Sequence, residues 1–193
     1  MDRVTCVRCG SPTPMFDVVH AGDSDGSQGK LCSDCFNQEM ARRRDLTEFE
    51  SVHFDPIRLV DARGLEHEFF FRVHLGADLS IEAFELVDGD PGGYQFQILG
   101  EVGTDVWELF ARLVTRMRNA LSKTHLESGR FGRQIADRSL RGRIESDPDG
   151  IDDQPRFVID GCIVPWDEVG RMLLTFEGWQ FRLELIDRSE DVT

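Results

Sequence analysis

Residues 29–44 read GKLCSDCFNQEMARRR, and they set Cys32 and Cys35 two residues apart at the start of a segment of helical composition. A matching pair, Cys6 and Cys9, stands upstream in VTCVRCGSP, with 22 residues between the pairs. Two intervening residues let both sulfurs of a pair reach one ion, so the spacing fits a tetrahedral four-thiolate zinc site. Gly10 permits a tight turn whose backbone amides can donate to a thiolate. Cys35 falls in the first turn of a helix, where free N–H groups and the positive end of the dipole favour an anion. Four cysteines fill all four positions of zinc and leave none for water. The expected metal is therefore one structural Zn2+ per chain, held by Cys6, Cys9, Cys32 and Cys35, with no catalytic role.

Outside this module the sequence reads as strands and two helices. In EFFFRVHL, Phe69, Phe71, Val73 and Leu75 share one face while Arg72 and His74 share the other. GYQFQIL alternates Tyr94, Phe96 and Ile98 with glutamines, and GWQFRLELI alternates Trp179, Phe181, Leu183 and Leu185 with polar residues. Period-two alternation marks half-buried antiparallel strands, since doubly covered parallel strands would be apolar throughout. FVIDGCIV predicts a hairpin turning at Asp160-Gly161, whose positive φ values that dipeptide tolerates.

TDVWELFARLVTRMRNALS places Val106, Leu109, Phe110, Leu113, Val114, Met117 and Leu121 on one helical stripe, with Asp105 as N-cap. Arg112, Arg116 and Lys123 fall on the opposite side. PWDEVGRMLLTF predicts a shorter helix with Trp166, Val169, Met172, Leu173 and Phe176 on its apolar stripe. The aromatics Trp166, Phe176, Trp179 and Phe181 are expected to be largely buried where this helix packs on the final strand. SGRFGRQ and the acidic ESDPDGIDDQP read as loops. The fold class is α+β: a zinc module over 1–45, then a mostly antiparallel sheet with two helices over 52–193, separable into parts 52–123 and 135–193. Each of the two main units is expected to hold its own structure.

Charge narrows the function classes. The net charge of −14 opposes broad affinity for nucleic acid or anionic membrane. Residues 112–143 nonetheless carry nine basic residues against two acidic ones, a local +7 within a chain that is −21 elsewhere. No stretch is apolar for the roughly 20 residues a membrane span needs. The segment MDRVTCVRCG lacks a signal core, so a cytoplasmic location with reduced thiols is expected. Cys162 reads as a small core residue. His53 and Asp55 stand at strand spacing without a triad or metal pattern, and no phosphate-loop, nucleophile-elbow or HExxH motif occurs.

CVRCG followed by KLCSDCFNQEM, a knuckle and then a helix-mounted pair, resembles the treble-clef zinc finger at the N-terminus of the ClpX unfoldase. The resemblance covers about the first 45 residues and implies a role in protein recognition and self-association. The segment VIDGCIVPWDEVGRMLLTFEGWQFRLELIDRSE resembles uncharacterised bacterial domains that follow such fingers. The expectation is a protein-binding adaptor with a protein partner and a structural zinc. The alternative is a nucleic-acid-associated finger protein using Arg42, Arg43, Arg44, Arg112 and Arg116 on phosphates. No enzyme is expected.

Overall fold

The computed structural model describes residues 3–22, 28–46, 49–130, 132–147 and 154–190. Its N-terminal part opens with β1 (Arg3–Thr5) paired antiparallel to β2 (Pro12–Pro14), which bracket the first cysteine pair. A 3-10 turn, Met15–Asp17, leads into β3 (Val18–Gly22), and β3 pairs with β4 (Gln28–Cys32). Helix α1 (Ser33–Arg43) follows β4 directly.

The middle of the chain is a four-stranded antiparallel meander. β5 (Ile57–Val60), β6 (Glu66–Leu75), β7 (Leu79–Val87) and β8 (Asp90–Gly100) neighbour one another in sequence order. Val73 lies opposite Ile81 and Arg72 opposite Glu82, so each face keeps one chemistry across strands. Helix α2 (Val106–Leu121) starts at Asp105, whose carboxylate accepts from the N–H groups of Trp107 and Glu108. Its buried residues Leu109, Leu113, Met117 and Leu121 close on Phe69, Val73, Leu75, Ile81 and Ile98. Each such side chain contributes about 1.5–3 kcal/mol on burial. The chain is α+β, as its alternation and its helical stripe require.

The cysteine-bearing part is joined to this sheet on two sides. Strand β5 pairs only with residues 66–69 of β6, which leaves that edge of β6 open from residue 70 onward. Asn37, buried on α1, closes the opening: its Nδ2 donates to Val73 O at 2.8 Å, and Leu75 N–H donates to its Oδ1 at 2.9 Å. The side-chain amide thus takes the place of a strand. Phe36 stacks on His74, and Ala41 enters the same core as α2. On the polar face of the sheet, Phe16 packs against Phe70 and Phe84 while Arg72 donates to Phe16 O.

The last third builds a second, smaller core. β9 (Leu126–Gly129) pairs with β10 (Gly132–Ile135), so SGRFGRQ belongs to a hairpin rather than a loop. Its glycines gave the loop reading, yet Gly129 and Gly132 sit at the turn and leave the flanking residues free to pair. β11 (Arg143–Ser146), β12 (Pro155–Ile159) and β13 (Cys162–Pro165) form a three-stranded sheet. Asp160 and Gly161 turn β12 into β13 with φ of 50° and 71°, as the dipeptide predicts. Helix α3 (Trp166–Leu173) and a 3-10 turn, Leu174–Phe176, complete it. Leu126, Ile159, Val164, Val169 and Met172 are the buried residues. The acidic stretch from 148 to 153 lies outside the described residues.

Three expectations fail here. Residues 179–186 form no strand: they run without turn or bend and join no sheet among the described residues. Trp179 is 58% exposed, Phe181 90%, Leu183 75% and Leu185 73%. Alternation supplies a strand's two faces, but a strand also needs an edge to pair with, and none is offered within the described chain. The expected aromatic core is therefore open. Trp166 is exposed on one side of Phe157, Leu173 is exposed, and Phe176 is half-buried beside Trp179. Cys162 is exposed at the start of β13 rather than in the core.

Replacing Asn37 by Ala strands Val73 O and Leu75 N in a buried place, at about 1–3 kcal/mol for each unsatisfied group. Urea unfolding of the Asn37→Ala protein is expected to show a loss of roughly 2–6 kcal/mol. Stability equal to wild type would mean that the edge contact contributes nothing.

Candidate metal centre

The first cysteine pair is set by a knuckle. Gly10, at a φ of 73°, donates its N–H to Cys6 O at 2.9 Å, and Cys6 N–H donates to Ser11 O at 3.0 Å. Val7 N–H donates to Lys30 O, which fixes the knuckle on β4 just ahead of the second pair. Cys32 is the extended residue before α1, and Cys35 lies in the helix's first turn. The four Sγ atoms lie within 4.8 Å of one another. Cys9 and Cys32 Sγ are 3.9 Å apart, close to the ~3.8 Å edge of a tetrahedron built on 2.3 Å zinc–sulfur bonds.

Electrostatics divide the thiols. Burial pushes the Cys6 thiol up, but backbone N–H groups of Cys9, Cys32 and Arg8 outweigh it and bring it down to about 6. Cys9, which is exposed, is lowered by its contacts with Ser11. Burial raises Cys32, and it raises Cys35 furthest, where the sulfurs of Cys32, Cys9 and Cys6 add to the effect. One or two thiolates form readily here, and each disfavours the next. A cation among the four removes that conflict, and the all-thiolate donor set and spacing fit a tetrahedral metal ion. With four protein ligands, such an ion has no open position for a substrate. Arg8 braces the site by donating to Cys35 O and to Glu39.

The arginines proposed for phosphate contact are dispersed. Arg42 and Arg43 both pair with Glu39, whose carboxyl Arg8, Arg43 and Arg42 together hold down at about 2. Arg44 donates to Ala77 O. Arg116 does not point away from the sheet: it donates to Gln97 O at 2.8 Å and to the carbonyls of Arg188, Ser189 and Glu190. Arg112 is exposed on α2. His53 faces Asp34 rather than Asp55, at 2.5 Å.

A second constellation escaped the sequence reading. Asp61 is buried after β5, where its Oδ1 accepts from the N–H groups of Arg63 and Leu65 and its Oδ2 accepts from the Arg63 guanidinium. His67 Nε2 lies 3.4 Å from Asp61, and His67 Nδ1 lies 2.8 Å from Glu85. Glu85 also accepts from Tyr94 N–H. Burial opposes ionisation of Asp61, but the Leu65 and Arg63 donors prevail and bring its carboxyl down to about 2. His67 on β6 stands six residues after Asp61, and Glu85 on β7 a further 18 along, so only the strand register brings them together. The one local signal was Asp61-Ala-Arg-Gly-Leu65, an aspartate-led turn.

Three family models match the chain in succession. Domain of unknown function (DUF7685) covers residues 5–47, Domain of unknown function (DUF7686) covers 50–122, and Domain of unknown function (DUF7713) covers 125–190. The first encloses all four converging cysteines, the second ends with α2, and the third holds the smaller core and the extended arm. No curated protein and no solved structure matches. Among the described residues, no helix is long and apolar enough to cross a membrane.

Mass spectrometry of metals in purified protein is expected to give one ion per chain, and the Cys32→Ser protein is expected to lose most of it. Because α1 carries both Cys35 and Asn37, chelation is expected to lower the melting temperature of the whole four-stranded sheet, beyond the unfolding of residues before 45. For Asp61 the folded pKa lies below the ordinary 3.8. Its contribution is therefore complete above about pH 4 and lost as pH falls toward 2. The Asp61→Asn protein is expected to lose on the order of 2 kcal/mol at neutral pH and to show a flatter acid limb between pH 4 and 2.

Proposed function

We propose that this chain is a protein-binding adaptor whose N-terminal module is a treble clef held by one structural zinc. Three features support the metal part: the order of knuckle, β3–β4 hairpin and helix, the all-thiolate donor set, and the zinc-like sulfur spacing. A saturated ion that also positions Asn37 acts as a fastener for the sheet.

One observation carries the adaptor reading. The region from α3 to residue 185 leaves Trp166, Leu174, Trp179, Phe181, Leu183 and Leu185 exposed in a single run of chain. Apolar surface concentrated in this way marks a protein contact. Charge favours the same reading: the net charge of −14 repels nucleic acid, and Arg42, Arg43, Arg44 and Arg116 are engaged by groups of the chain itself.

The test is affinity capture from extracts of the native host, with wild-type protein beside a Phe181→Glu variant. Since Phe181 is almost wholly exposed, the variant is expected to keep its fold and metal but lose the captured proteins. Anisotropy titration with DNA and RNA is expected to show no tight binding. Submicromolar oligonucleotide binding that falls about a thousandfold between 50 and 200 mM salt, and that vanishes in Arg112→Glu, would replace the adaptor with the nucleic-acid reading.

A further inference from the structure

We propose that residues 179–186 pair with the same residues of a second copy as an antiparallel two-stranded ribbon, so that the chain is a homodimer. This rests on reading the arm as a protein-binding surface, and it names the occupant.

The arm is held at both ends. Trp179 packs edge-on against Phe176 at 5.5 Å and lies beneath the Arg138 guanidinium at 5.0 Å. Beyond residue 186, Arg116 grips the carbonyls of residues 188–190, and Arg188 reaches Glu82 at 3.4 Å. Between these anchors the backbone N–H and C=O groups of residues 180–186 bond to no other described residue. Arg182 and Glu184 meet at 3.3 Å, an i,i+2 contact on one side of an extended chain. The arm is a strand in all but its partner.

The sequence suits its own kind as that partner, and the register centred on Leu183 is the one that pairs its charges. Centring the antiparallel pair on Leu183 sets Arg182 opposite Glu184 of the second copy, and Glu184 opposite Arg182. It also sets Phe181 opposite Leu185, and Leu183 opposite itself. Centring on Arg182 or on Glu184 places like charges face to face, which is unfavourable. A slip of one residue in pairing sets apolar positions against polar ones. The ribbon satisfies backbone groups that are otherwise unpaired. Phe181, Leu183 and Leu185 of the two copies then meet as cross-strand apolar pairs on one face of the ribbon.

Sedimentation velocity on the full, metal-loaded chain from about 1 to 100 µM tests this. Wild type is expected to sediment as a dimer and Leu183→Glu as a monomer of unchanged circular dichroism and metal content. Arg182→Glu is expected to weaken the dimer about tenfold, by turning two attractive cross-strand pairs into repulsive ones. Arg182→Glu combined with Glu184→Arg is expected to restore it. A wild-type monomer at 100 µM, or a dimer indifferent to Leu183→Glu, overturns the proposal. If wild type is monomeric while Phe181→Glu still abolishes capture of a host protein, self-pairing falls and the adaptor reading stands. If capture also survives that substitution, both fall.

Discussion

The convergence of four sulfurs fixes the start of α1, and the rest of the N-terminal half depends on that placement. Cys35 and Asn37 are two residues apart on a helix, hence about 200° apart around its axis. One side of α1 faces the cysteine cluster and the other side faces the open edge of β6. A bare strand edge invites pairing with other chains, and natural proteins cover it. Here the cover is a single buried amide whose position is set by the cysteine cluster next to it. The sheet's order and the cysteine cluster are therefore one device, so an ion held by the four sulfurs would steady the larger domain as well.

The +7 window has a similar internal logic. Arg133 binds Glu168 of α3, and Arg143 binds Glu145, which also accepts from Arg156. Arg116 reaches across from α2 to the β8 backbone and to the chain beyond the arm. These arginines thus meet a carboxylate on α3, a carboxylate on β11 and backbone carbonyls, each within the chain itself. Guanidinium suits this role better than ammonium, since its fork can hold several carbonyls at once. Local charge along a sequence is thus a poor guide to local charge on a surface.

What the sequence made legible was whatever depends on local pattern. The cysteine spacing, the alternation in β6 and β8, the α2 stripe with its Asp105 cap, and the Asp160-Gly161 turn each need only a few neighbouring residues to specify them. What stayed hidden depends on residues far apart. Asn37 meets Val73 and Leu75 across more than thirty positions. Asp61, His67 and Glu85 are brought together by strand register. The β9–β10 hairpin was masked by glycines that serve its turn. For residues 179–186 the alternation predicts a strand that the structure does not form, because pattern does not say whether an edge is waiting.

An unpaired strand left loose at a chain end would be a poor binding element, because fixing each residue costs on the order of 1–2 kcal/mol in backbone entropy. This arm is not loose. Phe176 and Arg138 hold Trp179 against the smaller core, while Arg116 and Glu82 hold residues 188–190 on the larger one. The span between them is drawn straight, which would reduce the ordering cost of any association along it. Its anchors belong to both cores, so pairing along the arm would tighten the join between them. Loss of either anchor would loosen the arm without touching the residues that make the contact.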